Sequence, residues 1–426
     1  MSDGMASPTG GARKGDGRMA GVNGGRRRPD AGRVRSRSRN ALRRGPQGLL
    51  AGTFAVGLVA AGTVFGAGPA SAETALIFGG ARGPGIPWDQ ITNRVGRGYY
   101  PNANRHIVEY PAGMVYGRLP DKLWPGNDIS TESVGDSVDI GARNLKTALQ
   151  GTPGQTVVVG NSEGALVLSE ALARLSQDPD ARAPEGVSFT LFGPPQSVTP
   201  FSHSVLSTLT PGTYVPLIDY TVRGPVESQY DTTLVVGEYD FIADFPDRPD
   251  NFLALANSLV ALEYLHTETS YSTREDVPPQ NIFVTVNSKG ATQTAYFLPT
   301  KLLPLTRPLR DLGVPNELVD QLDGVVRPMV DAGYSRNDYP GAPATGIDPV
   351  ARANVEDWLR QAGTGLSELP PPPQQQTPVS QPTIKLSRTD QENIDKAVQG
   401  IKVSPTDQAN IDNAAAQVKN LFPGIG

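Results

Sequence analysis

Cysteine is absent from this chain of 426 residues, so no disulfide can form and the redox compartment is left open. Histidine is nearly as scarce. His106, His203 and His266 are the whole supply, and without thiolates they are too few for a structural zinc cluster. Neither a metal nor an organic cofactor is called for. Apolar residues reach only 38%, and much of the shortfall lies in two polar ends around an ordinary middle. Basic charge is missing from that middle. Residues 1–72 hold 12 of the 38 Lys and Arg with three acids, leaving 26 basic against 40 acidic residues beyond them. An acidic body lacks the basic face that phosphate binding needs, so nucleic acid is excluded as a partner.

The basic start has another explanation. An Arg-, Gly- and Ser-rich stretch (residues 13–44) runs into an uncharged apolar segment (48–68), then Pro69-Ala70-Ser71-Ala72. A positive region, an apolar core and an A-x-A site make an export signal. The competing reading is a retained anchor, since about 20 residues just span a bilayer. The protein is therefore expected to be exported, secreted or associated with the cell envelope or membrane.

Past residue 72 the pattern is one of strands alternating with helices. Thr74–Phe78, residues 106–110, residues 156–159, Val187–Phe192, residues 233–236 and residues 281–286 read as strands. Helical spacing covers 134–150, 165–175 and 251–264. Short continuous apolar runs between helices imply a mainly parallel sheet with helices on both faces. Residues 298–334, apolar and punctuated by proline, suggest short helices packed over the domain. Four parts follow: an export segment (1–72), an α/β domain (73–340), an extension with a Pro/Gln-rich linker (341–388) and a tail (389–426). The tail repeats Thr389-Asp390-Gln391 at Thr406-Asp407-Gln408, and two copies are too few for a solenoid.

The chemistry centres on Gly160-Asn161-Ser162-Glu163-Gly164, a G-x-S-x-G match between the strand TVVV and the helix ALVLSEALARL. In that context the serine sits at a sharp strand-to-helix turn whose two glycines avoid collisions. A hydroxyl needs a base, and in the α/β-hydrolase order the acid and then the histidine follow the serine. Only His203 and His266 qualify, and His266 lies downstream of every acid considered. Glu238-Tyr239-Asp240 directly follows the strand ending at Gly237, which favours Asp240; Asp244, with apolar flanks, is the alternative acid. An oxyanion hole needs two backbone N–H groups, expected from Glu163 and from Gly80 in the loop after the first strand. That loop, GGARGPG, lacks the G-x-G-x-x-G order of a dinucleotide site. Residues 196–230 carry Phe201, Leu206, Leu209, Tyr214, Leu217, Ile218 and Tyr220, which suggests either an apolar, lid-like wall for an acyl chain or a loop packed on the body.

With these residues in place, the chain resembles the PE-PPE C-terminal domain family of mycobacterial and related serine α/β hydrolases. The resemblance runs from about Thr74 to Tyr334. Tyr239 to His266 (YDFIADFPDRPDNFLALANSLVALEYLH) carries it most specifically, with support from YPAG, SVGDSVDIGARNL, GNSEG and LPLTRPLRDLG. The family often has Gln where Glu163 stands and a small residue where Phe241 stands, and FGPP (192–195) replaces a more usual Gly-Asn-Pro. A signal-like segment stands in place of the PE or PPE module. The resemblance implies an α/β-hydrolase fold and a triad of Ser162, an Asp in YDFIAD and His266. It also implies esterase activity on lipophilic esters, or acyl transfer between trehalose glycolipids. A non-catalytic surface-binding protein on the same scaffold is the alternative of another class.

Overall fold

The computed structural model describes residues 73–83, 86–114 and 132–366. The expected export segment, linker and repeat tail lie outside the described residues. Along the chain run β1 (Thr74–Phe78), α1 (Trp88–Thr92), β2 (Asn104–Ile107), α2 (Val134–Gly151), β3 (Thr156–Asn161), α3 (Glu163–Leu175) and β4 (Val187–Phe192). Then follow β5 (Tyr214–Val215), β6 (Tyr220–Thr221), β7 (Asp231–Gly237), α4 (Phe252–Tyr264), β8 (Ile282–Val286) and β9 (Thr292–Leu298). The helices α5 (Arg307–Asp311), α6 (Asn316–Asp331) and α7 (Pro349–Leu366) complete the set.

Seven strands form one sheet in the order β2-β1-β3-β4-β7-β9-β8, all parallel except β8. This is an α/β-hydrolase fold. The period of two along a strand sorts its side chains onto two faces. Leu76, Phe78 and Val158 join one core with α2 and α3, through residues such as Leu145 and Leu168. Their neighbours Ala75, Ile77, Val157 and Val159 join another with Val95, Tyr99 and Phe192. Both faces of β1 and β3 are thus covered, which is why these strands read as unbroken apolar runs.

Local chemistry fixes the helix starts. Ser133 caps α2, its hydroxyl accepting the Asp136 N–H at 3.0 Å, and Asn251 caps α4 by accepting from Ala254 at 3.1 Å. In α2 the buried residues Val138, Gly141, Ala142, Leu145 and Leu149 keep helical spacing. Gly141 lets α2 close on α3: an added Cβ would lie 2.8 Å from the Val167 side chain.

Several expectations shift. The second strand spans Asn104–Ile107, and Tyr110, counted in the strand from sequence, leaves the sheet to bury its ring elsewhere. β9 was not foreseen, because Thr292, Gln293 and Thr294 dilute its apolar signal. It forms a hairpin with β8 around Gly290, whose φ of +82° suits the turn. The strand expected at 281–286 is β8, an antiparallel edge with Val284 and Val286 exposed. In 298–334 a short α5 precedes one sixteen-residue helix, α6, with Pro328 in its last turn. Beyond residue 340, where an extension was expected, α7 forms. Between β4 and β7, Leu206, Leu209 and Tyr220 pack into the core while Tyr214 and Leu217 stay exposed. No helix among the described residues is long and apolar enough to cross a membrane.

Candidate active site

Ser162 stands between β3 and α3 at φ 56° and ψ −119°, a conformation that L-residues rarely adopt. The turn holds because the surrounding backbone over-determines it. The Ser162 N–H donates to the Phe192 carbonyl at 2.9 Å, and its own carbonyl accepts from Leu166 at 3.1 Å. The two motif glycines are required by close approach. A Cβ on Gly164 would lie 2.4 Å from the Phe78 carbonyl oxygen, and one on Gly160 would lie 2.6 Å from the Gly164 oxygen.

Asp240 and His266 arrive from two other elements. Asp240 follows β7, and His266 follows the C-terminal end of α4. His266 Nδ1 lies 2.7 Å from Asp240 Oδ2, and Asp240 is completely buried. The second carboxylate oxygen accepts the Ile242 N–H at 3.0 Å, so both oxygens are engaged. With Nδ1 engaged, the Nε2 of His266 remains buried without a partner among the described residues. Gly193 links this pair to the serine. Its neighbour Phe192 holds the Ser162 N–H, and a Cβ on Gly193 would stand 2.8 Å from His266 Cε1. Sequence reasoning noted FGPP as a departure but passed over this packing role.

Asp244 has a different partner. Its two oxygens accept from Arg336 Nη1 and Nη2 at 2.7 and 2.8 Å, and one of them also accepts the Tyr239 N–H at 2.7 Å. Burial raises the Asp244 carboxyl above its ordinary value, and Arg336 pulls it back. Arg336 lies 92 residues away, beyond the reach of any local motif. His203 is not brought to the Asp240 pair either. Its Nε2 faces the Ala344 carbonyl at 3.3 Å, and burial lowers its basicity.

The two backbone donors expected around the serine also have a clear setting. A Cβ on Gly80 would stand 3.2 Å from Ser162 Cβ, so the loop after β1 runs directly alongside the serine. Glu163 opens α3, where its N–H is one of the groups that a helix leaves without an internal acceptor. Its side chain is only 4% exposed, and neither carboxyl oxygen has a hydrogen-bond partner of normal geometry among the described residues. Burial drives this carboxyl well above its ordinary value of 4.5, with a smaller opposing pull from the Ser137 hydroxyl. Burial thus favours its protonated form, which is nearer in character to a glutamine.

Comparison with known proteins adds to this geometry. Residues 101–335 match the PE-PPE domain. The chain is 44% identical over 284 residues to diacyltrehalose acyltransferase Chp2 of Mycobacterium tuberculosis, covering 66% of this chain and 79% of that one. It is 39% identical over 312 residues to SL1278 acyltransferase Chp1 of the same organism, covering 71% and 72%. Esterase PE16, also of that organism, is 32% identical, with 66% of this chain and 53% of that protein covered.

Two outcomes follow from the buried carboxyls. Arg336→Met leaves Asp244 as an uncompensated buried charge and is expected to cost about 3–5 kcal/mol in urea unfolding. Adding Asp244→Asn should recover part of that loss. For Glu163, a folded-state value above the unfolded one means that the native state holds the extra proton. Stability therefore falls as pH rises from about 4.5 toward the raised value. Glu163→Gln removes this dependence, so its advantage over wild type in melting temperature should widen as pH rises above about 4.5. A constant difference would contradict a buried carboxyl with a raised value.

Proposed function

This chain belongs to the PE-PPE domain family, and from that membership we propose an exported serine enzyme that removes acyl groups from lipophilic esters through an acyl-Ser162 intermediate. The observation that carries the reading is the 2.7 Å contact of buried Asp240 with His266, in a chain that also holds Ser162 at positive φ after β3. Hydrolysis and transfer of the acyl group share these groups.

The proposed chemistry follows the triad order of the fold. Asp240 accepts a hydrogen bond from Nδ1–H of His266 and so leaves Nε2 as the basic nitrogen. Nε2 takes the Ser162 hydroxyl proton as Oγ bonds to the ester carbonyl carbon. The negative charge that develops on the carbonyl oxygen is met by the N–H groups of Glu163 and Gly80. When the C–O bond of the ester breaks, the leaving alcohol takes the proton from Nε2. An acceptor hydroxyl then repeats the sequence in reverse, giving its proton to His266 and freeing Ser162. The push of burial toward the protonated form of Glu163 matters here, because a carboxylate next to the oxyanion would oppose the charge being stabilised.

The acceptor distinguishes the two forms of the activity. The name of the 44% identical relative, a diacyltrehalose acyltransferase, supports a sugar hydroxyl of a trehalose glycolipid as acceptor, and that of the 39% identical relative supports acyl transfer. Water as acceptor, giving an esterase, is supported by the name of the 32% identical relative. Export to the cell envelope through residues 1–72 would bring the enzyme to such lipids.

The test is an ester chain-length series on residues 73–426, with and without trehalose, comparing wild type with Ser162→Ala. Wild type should turn over esters, and the variant should lose at least about 10⁴-fold in kcat/KM. Product that rises with trehalose while hydrolysis stays feeble would establish transfer. If wild type fails with every donor and acceptor, the non-catalytic binding reading takes its place.

A further inference from the structure

The loop beside Ser162 is held by its carbonyls, and the two groups that hold it take no part in the steps above. Tyr110 is 4% exposed, and its hydroxyl donates to the Gly79 carbonyl at 2.6 Å. Trp88, 7% exposed, donates its indole Nε1–H to the next carbonyl, that of Gly80, also at 2.6 Å. The two rings meet nearly edge-on at 6.2 Å, and Tyr110 also packs on Phe78 at 5.8 Å. Arg82 lies over the indole at 3.9 Å, and its backbone N–H ties the far end of the loop to the Ala112 carbonyl at 2.8 Å.

A planar trans peptide points its C=O and its N–H in opposite directions. The bond from Tyr110 to the Gly79 oxygen therefore aims the Gly80 N–H away from Tyr110. The bond from Trp88 to the Gly80 oxygen does the same for the Ala81 N–H. Neither N–H has an acceptor among the described residues. Space on the Ser162 side is confined, with Ser162 Cβ 3.2 Å and Asn161 Nδ2 3.5 Å from where a Gly80 Cβ would stand. On the opposite count, a Cβ on Gly79 would lie 2.1 Å from Thr92 Oγ1 and 2.7 Å from the Trp88 ring, so Gly79 is pressed against α1. A hydrogen bond accepted by a peptide carbonyl also polarises the peptide and strengthens its N–H as a donor.

We infer that Tyr110 and Trp88 are positioning residues for the oxyanion hole, fixing and polarising two successive peptides of the loop after β1 so that their N–H groups are preset beside Ser162. The inference rests on Ser162 as the nucleophile. It assigns to two aromatic residues, both far from the serine in sequence, a part of the transition-state stabilisation. Their effect belongs to the charged intermediate, because an uncharged ester carbonyl gains much less from a preset donor.

The experiment measures kcat, KM and the inhibition constant of an alkyl boronic acid for wild type, Tyr110→Phe and Trp88→Phe, with p-nitrophenyl octanoate as substrate. Each variant should lose roughly tenfold or more in kcat with KM changed less than about twofold. The boronate, which forms a tetrahedral anion on the serine, should weaken by the same factor as kcat. Tyr100→Phe serves as the control, since it removes a comparable hydroxyl whose partner is Thr190 Oγ1 at 2.6 Å. That variant should lose melting temperature but keep kcat. An unchanged kcat in both loop variants, or a fall in kcat without a matching loss of boronate affinity, overturns the inference. A drop in Tyr100→Phe as large as that in Tyr110→Phe also overturns it, because general loosening then explains the effect. If wild type is as silent as Ser162→Ala, the acyl-enzyme reading itself fails and this inference fails with it.

Discussion

Everything at the serine depends on how closely α3 can approach the ends of β1 and β3. A side chain on Gly164 would sit 2.4 Å from the Phe78 oxygen and 2.6 Å from the Gly79 oxygen. Contacts that short exclude any Cβ, so the helix reaches this depth only because two glycines flank the turn. The depth has two effects. It drives Ser162 to positive φ, and it sets the first N–H groups of α3 beside the loop that carries Gly80. Strain at one residue is therefore maintained by packing spread over three elements.

A second theme is the treatment of buried acids. Asp240, Asp244 and Glu163 are all withdrawn from water, each with a different resolution. Asp240 faces an imidazole and a backbone N–H. Asp244 is neutralised by both arms of Arg336 and also holds the backbone at Tyr239, next to Asp240. Glu163 has no ion pair among the described residues, and burial pushes it toward its protonated form. Three buried carboxyls thus find different partners because their surroundings differ, and differing surroundings are how protein sites divide acid and base roles.

Much of this was legible in the sequence. Continuous apolar runs gave the strands β1, β3, β4 and β7, since both faces of each are covered. The turn at Ser162 was visible because its glycines and flanking elements are local. So was the position of His266, through the shortage of histidines. What could not be read depends on contacts across long separations. Arg336 as the partner of Asp244 and Tyr110 as the support of Gly79 leave no local trace. β9 was hidden for another reason. Its polar Thr292–Thr294 start is only half-buried near the sheet edge, and the hairpin signal at Gly290 was not weighed.

The sheet ends differently on its two sides. β2 presents Asn104, Arg105 and His106 along one border, polar side chains that discourage another strand from adding there. β8 has no charge in Ile-Phe-Val-Thr-Val, and among the described residues nothing pairs with its outer side. Val284 and Val286 stand 57% and 67% exposed along it. An uncharged β-branched border of this kind is a template for intermolecular strand addition. A charge on this border, as in Val284→Lys, would remove the uncharged template without touching the sheet's core.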